Sequence, residues 1–346
     1  MEKKSCLISF LLLVFLFSCK ESVSSKSGQE PEKPVKKEYY TNPIIKMSLP
    51  DPTVIRADDG SFYLYATEDI HNLPIFKSSD LIEWSQVGTA FTNETRPNLV
   101  KGGALWAPEI RKIKDKYALF YSLAIWGNHW VSTIGYAIAD KPEGPFAEKG
   151  KVFDSRDVDV ENSIDQFFFE DNGKYYMIWG SFRGLYIMEL NISDNLDITY
   201  NLDTKQRLAG DAYEGVNIWK RGDYYYLFAS VGSCCEGEKS TYKTVVGRSK
   251  SLFGPYVNKE GKTMLDNSHE DVIAKGNGFV GTGHNSTLIE DDAKNTWMIY
   301  HAFQLDALQN SRQVLLDKVL WDVEGWPYVQ NGIPSLKAEV PVINKK

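Results

Sequence analysis

The chain has 346 residues, with 39 lysines and arginines against 46 aspartates and glutamates, a net charge of -7. That balance gives no electrostatic drive toward nucleic acid or an anionic membrane face, so neither is an expected partner. With 19 Tyr, 17 Phe and 9 Trp, the composition favours strands and offers flat faces to an uncharged ligand.

The N-terminus reads as a targeting segment. Lys3-Lys4 precedes an apolar run from Leu7 to Phe17, too short for a permanent membrane span. It closes on Leu16-Phe17-Ser18-Cys19, which resembles the lipobox of bacterial lipoproteins. Residues 1–18 are therefore expected to be a signal peptide, leaving Cys19 as a lipidated N-terminus. An ordinary signal peptide with a chance cysteine is the competing reading. Residues 19–38, rich in Ser, Lys, Glu and Pro, read as a flexible tether. The expected location is periplasmic or cell-surface, with the lipid on Cys19 as the membrane contact.

Residues 39–346 read as one domain built on a repeat. Five aromatic-rich strands follow short polar turns: Phe62–Thr67, Tyr117–Ser122, Tyr175–Gly180, Tyr224–Ser230 and Trp297–Ala302. Asp59-Gly60 and Asn172-Gly173 before two of them suit hairpins, because their backbones tolerate positive φ. A further strand follows each, from Ile75, Ile134, Leu185, Val246 and Leu315. Strand repeats at this spacing without helical periodicity predict an all-β, five-bladed β-propeller. A β-sandwich rarely needs so many strands, and a β-helix repeat is shorter.

About ten residues ahead of each aromatic strand stands one polar side chain in apolar or small company: Asp51, Glu109, Asp165, Glu214 and His284. Corresponding positions of successive blades converge on a central funnel. Asp165 precedes three phenylalanines and Glu214 lies between Tyr213 and Gly215-Val216; burial there raises a carboxyl pKa. One protonated and one ionised carboxyl across a funnel are what glycoside hydrolysis requires. A third carboxylate keeps the acid protonated through like-charge repulsion. Glu109 reads instead as a buried hydrogen-bond acceptor.

These segments resemble glycoside hydrolase family 43, and within it the arabinanases and α-L-arabinofuranosidases. The resemblance runs through Asp51-Pro52-Thr53-Val54, Trp106-Ala107-Pro108-Glu109, Ser163-Ile164-Asp165, Glu214-Gly215 and Gly283-His284-Asn285-Ser286. It extends over Cys234-Cys235-Glu236-Gly237 and Ser240-Thr241-Tyr242. It implies an inverting enzyme that cuts α-1,5-L-arabinofuranosidic bonds in arabinan or its oligosaccharides, endo action favoured over exo. Asp51 would be the base, Glu214 the acid and Asp165 the modulator of its pKa. Inversion sets the acid and base about 6.5–9.5 Å apart to admit water. Trp106, Trp126, Asn162, Ser163, Ser181 and Phe182 would meet the sugar, and His284 would help to hold a central calcium through water. The enzyme is expected to act as a monomer.

Two positions depart from the family pattern: Gln166 where many relatives carry proline, and Gly215-Val216 where many carry Ala-Pro. The alternatives are a β-xylosidase or xylan arabinofuranosidase on the same scaffold, and a non-catalytic sugar-binding lipoprotein. The adjacent Cys234 and Cys235 are either a vicinal disulfide or two buried thiols, and the sequence leaves that open.

Overall fold

The computed structural model describes residues 38–344. The expected signal peptide, Cys19 and all of the expected tether except Glu38 lie outside the described residues. Among the described residues the regular structure is strand, with four three-residue 3-10 turns.

Three antiparallel sheets of four strands come first: Thr53–Arg56 to Ser85–Thr89, Ala104–Ile113 to Ala147–Asp154, and Phe167–Asp171 to Ile198–Ala209. Each runs in sequence order, so hairpins alone connect it. The fourth (Tyr213–Arg221, Tyr224–Val231, Lys243–Ser249, Glu270–Ile273) and the fifth (Phe279–Gly283 with Ile289–Glu290, Thr296–Gln304, Arg312–Trp321, Pro327–Val329) repeat the plan. They are joined through one parallel pair, Lys243 with Thr282.

The aromatic second strand of each blade is apolar on both faces because both faces are buried. In the first blade, Tyr63 and Tyr65 pack toward the second blade, against Leu119 and Tyr121. Phe62 and Leu64, on the alternate face, pack toward the fifth, against Trp297 and Ile299. The same alternation sends Ala118 and Phe120 toward Met177 and Trp179. It sends Ile178 toward Leu227, and Phe228 toward Met298 and Tyr300. Five cores thus lie between successive blades, and the last returns to the first: a closed five-bladed propeller. Each such fully buried Phe or Leu contributes roughly 1.5–3 kcal/mol.

The two ends of the domain fasten the ring. Tyr39–Thr41 pairs antiparallel with Lys337–Glu339. Tyr40 Oη and Asn42 Nδ2 donate to the Leu316 carbonyl at 2.5 and 2.9 Å, and Ile44 N donates to Val314 O at 2.9 Å. The segment that leads into the first blade therefore lies along the third strand of the fifth.

Candidate active site

Every blade carries the same local irregularity where its first strand reaches the axis. Two residues there face one on the second strand: Asp51-Pro52 against Ala66, Ala107-Pro108 against Tyr121, Asp165-Gln166 against Trp179, Gly215-Val216 against Ala229, and His284-Asn285 against Tyr300. The first of each pair has a left-handed backbone: φ is 55° at Asp51, 41° at Ala107, 57° at Asp165, 59° at Gly215 and 47° at His284. An extra residue bends a strand and re-aims its side chains. Here five bends turn the leading residues toward one axis. Asp51, Asp165 and His284 hold this position, as the repeat predicts. Glu109 and Glu214 do not: Glu214 precedes the left-handed residue by one, and Glu109 follows it by two.

That offset decides what the two glutamates face. Glu109 is 5 % exposed and lies under the site. Its Oε2 accepts from Thr53 Oγ1 at 2.8 Å and its Oε1 meets Arg111 at 2.5 Å. Burial raises its pKa against the opposing effects of Arg111 and Thr53. It is absent from the cavity wall, in keeping with the acceptor reading. Glu214 lines the cavity beside Asp51 and Asp165.

A second five-fold rule locks these residues. Near the end of each second strand a polar side chain bonds to the lead of the next blade. Thr67 Oγ1 accepts from Ala107 N at 2.7 Å, and Ser122 Oγ accepts from Asp165 N at 3.1 Å. Ser181 Oγ donates to Glu214 Oε2 at 2.7 Å, and Ser230 Oγ accepts from His284 N at 2.8 Å. His301 Nδ1 closes the cycle, accepting from Asp51 N at 3.0 Å. Gly215 N also donates to Asp165 Oδ2 at 3.1 Å, tying the third blade to the fourth. Gln166, the first departure, accepts from Ser122 Oγ at 2.8 Å and donates to Ala107 O at 2.6 Å, bonds that a proline could not make.

The cavity over this floor has a volume of about 580 Å³. Asp51, Asp165, Glu214, Trp106, Trp126, Asn162, Ser181, Phe182 and His284 all line it. Trp106 and Trp126 stand edge to face, centroids 6.1 Å apart, and Trp126 is 77 % exposed, free to meet a ligand. Ser163 is the exception among the expected sugar contacts. It is fully buried, donates to Val160 O at 2.8 Å and accepts from Trp179 Nε1 at 3.0 Å, which makes it part of the scaffold. Its neighbours on either side, Asn162 with a left-handed backbone and Ile164, both line the cavity.

The three acids sit in opposed electrostatic settings. Burial alone would raise Asp51, but the charges of His284 and Arg312 hold its carboxyl well below the usual carboxylate range. Its Oδ1 lies 3.2 Å from His284 Nδ1 and 3.4 Å from Arg312, and its Oδ2 accepts from Thr67 Oγ1 at 2.6 Å. Burial would lower His284, yet Asp51 and Asp165 push it up to about 9. His301 is different. Its Nδ1 accepts an amide proton, and burial with Arg312 nearby holds its pKa well below the ordinary range. It is a neutral ring, so its 3.4 Å approach to Asp51 Oδ1 is not an ion pair.

Burial raises both Asp165 and Glu214. Asp165 is pushed up to about 7 by burial and by the charges of Glu214 and Asp51, against His284 and the Gly215 N–H. Glu214 is raised by burial and by Asp51, against the Ser181 hydroxyl. The two carboxyls are raised together and titrate as a coupled pair. Asp51 remains an anion beside them.

The raised Asp165 fixes a sign for stability. Its folded pKa lies above its ordinary 3.8, so the native state loses stability as pH climbs from there through about 7. Asp165→Asn should therefore melt several degrees above the wild type at pH 8 and close to it at pH 4, with reduced turnover. Differential scanning calorimetry at the two pH values checks this.

Thr67, Ser122, Ser230, His301 and Arg312 were not singled out from the sequence. The hydroxyls close the aromatic strands in a repeated position, and that periodicity is their signal in the sequence. Arg312 carries no such signal. It reaches Asp51 from 261 residues away, across the closure of the ring.

Residues 40–327 match the family model for glycosyl hydrolases family 43. The chain is 34% identical over 315 residues to an extracellular exo-α-(1→5)-L-arabinofuranosidase of Cellvibrio japonicus, an alignment that covers 82% of this chain and 87% of that protein. It is 28% identical to extracellular endo-α-(1→5)-L-arabinanase 2 of Bacillus subtilis, covering 84% of this chain and 72% of the relative. Among solved structures, Cellvibrio cellulosa α-L-arabinanase complexed with arabinohexaose superposes with a TM-score of 0.72 at 31% identity, over 82% of this chain and 95% of that one. The fold, the bent strand entries and the match over nearly the whole described domain agree: the chain belongs to glycosyl hydrolase family 43.

Proposed function

We propose that the protein hydrolyses α-1,5-L-arabinofuranosidic bonds of arabinan or arabino-oligosaccharides with inversion at the anomeric carbon. The observation that carries this is three carboxyls lining one cavity in unlike surroundings: Asp51 against His284 and Arg312, which favour its anion, and Asp165 and Glu214 under a burial that favours their protonated forms. The names of the relatives supply the sugar.

In this reading a water bound at Asp51 gives that carboxylate a proton as its oxygen attacks the anomeric carbon. The glycosidic C–O bond breaks on the opposite side, and its oxygen takes the proton of Glu214. His284 and Arg312 keep Asp51 ionised. Asp165 and Glu214 act as a coupled pair, in which the ionised partner raises the proton affinity of the other by like charge, so a proton on Glu214 is favoured when Asp165 is the anion. Trp126 and Phe182 offer apolar faces to the sugar, while Asn162 and Ser181 supply polar anchors.

Three further parts of the proposal are the lipid anchor at Cys19 with its exported location, a monomeric state, and a calcium ion near His284. Among the described residues no three His, Cys, Asp or Glu side chains form a metal-ligating group. His284, held as a cation beside Asp51, has no lone pair for a second cation and could approach the ion only across a water, and calcium prefers six to eight oxygens. Water would supply most of the shell, and no step above passes through the ion.

The test is product analysis on linear debranched arabinan and on xylan. Reducing ends should appear from arabinan alone, with the β-anomer as the first product by proton NMR. The expected early products are mixed oligosaccharides; one short product from the outset would mean exo action at the same site. No release from arabinan would overturn the reading.

A further inference from the structure

We propose that a disulfide between Cys234 and Cys235 is a sugar-contacting wall of the cleft, and that the oxidised pair sets the affinity for arabino-oligosaccharides. This rests on the function proposed above.

The bond joins residues one position apart. A crosslink stabilises a fold mainly by closing a long loop of the unfolded chain. This one closes almost none, so it is a poor staple. Nor is it a core contact: Cys235 is exposed and Cys234 only part-buried. What it does is face the substrate cavity, together with Ser233 and Glu236 and in company with Asp51, Asp165 and Glu214.

The segment that carries it is held at its base. It leaves the second strand of the fourth blade just past Ser230, the residue paired with Glu214. Ser233 N donates to Thr241 Oγ1 at 3.0 Å, and Ser240 Oγ donates to Ser233 O at 2.6 Å. Gly232 makes the neck possible. Its φ is 90°, and a Cβ there would stand 2.6 Å from Thr241 O. Ser233 Oγ reaches over the pair to donate to Glu236 Oε2 at 3.1 Å. The disulfide thus sits on a fixed turn on the acid's side of the cleft.

Its chemistry suits one kind of contact. Disulfide sulfur offers no proton and accepts hydrogen bonds weakly, but it is polarizable and packs well on apolar surface. Two free thiols would rotate independently, whereas the bonded pair presents one preformed surface that loses no rotamer freedom on binding. Trp106 and Trp126 provide the aromatic wall from the second blade, and the sulfur pair provides a wall from the fourth. The C–H face of a furanose is the complementary partner.

The experiment compares wild type with Cys234→Ser/Cys235→Ser on linear arabino-oligosaccharides, with and without a phosphine reductant. The double variant should raise KM about ten-fold with kcat little changed, the size of effect one lost apolar contact has in a pocket. Reductant should produce the same rise in wild type and none in the variant. Thermal melting of both proteins shows whether the variant is folded. An unchanged KM in a folded variant overturns the inference. So does a fall in kcat for all substrates together with a lowered Tm, or mass spectrometry of the isolated protein showing two free thiols. Wild-type cleavage in the same assay keeps a failure here distinct from a failure of the activity itself.

Discussion

Glu214→Gln is expected to lower turnover on unactivated arabinan by about 10²–10⁴-fold, the usual contribution of a positioned acid or base. Glutamine keeps the size and can still accept from Ser181, whose hydroxyl meets Glu214 Oε2 at 2.7 Å, so folding should survive. The variant has no proton to give the departing oxygen. An aryl arabinofuranoside with a good leaving group needs none, and should retain most of its rate. The pH profile provides an independent check. The acid must be protonated, so wild-type kcat/KM should fall as pH rises through the titration of the Asp165–Glu214 pair, near the value of about 7 to which Asp165 is pushed. That alkaline limb should vanish in the variant on the activated substrate. Equal losses on both substrates would remove Glu214 from the acid role.

Asp51→Asn should cost a similar factor of about 10²–10⁴ in turnover, but with a different signature. Loss of a base is not relieved by a better leaving group. It is relieved by a nucleophile that needs no deprotonation, so azide should restore turnover on the activated substrate and yield the β-arabinofuranosyl azide. The substitution also strips the counter-ion from His284 and Arg312, and unpaired buried charge is destabilising by several kcal/mol, about 3–5 in comparable sites. The pH window follows from the two shifts. Asp51 is depressed from its ordinary 3.8, so its contribution is present above that pH and lost as pH falls below it. His284 is raised from 6.5 to about 9, so its contribution is full below 6.5 and lost as pH rises through about 9. The stability deficit of the variant should be widest between 3.8 and 6.5. Urea unfolding across pH checks this. A deficit that does not change with pH would mean that the ion pairs contribute nothing.

The propeller was legible because its signal is periodic. Each aromatic strand faces two neighbouring blades, so a fully apolar strand recurs five times and cannot be mistaken for a half-solvated one. Asp51, Asp165 and His284 were legible for the same reason. Sequence spacing gives Glu109 and Glu214 the same phase, yet the corresponding structural position is held by Ala107 and Gly215. Those residues have no functional group, so nothing in their chemistry marks them; what they share is a backbone angle. Ser163 stands between two lining residues, Asn162 and Ile164, but its hydroxyl turns inward to Val160 O and Trp179 Nε1, an orientation that sequence spacing does not show. Arg312 has no counterpart in the repeat and is placed only by closing the ring, since its contact with Asp51 spans 261 residues.

The pairing of Tyr39–Thr41 with Lys337–Glu339 bears on when the protein can become active. The partners of that clasp are the first and last parts of the domain to be synthesised, and Asp51 receives His301 and Arg312 only once the fifth blade has arrived. Four blades alone would therefore hold Asp165 and Glu214 but leave Asp51 without His301 and Arg312. The order of the blades along the chain thus makes the site a property of the closed ring and of no part of it.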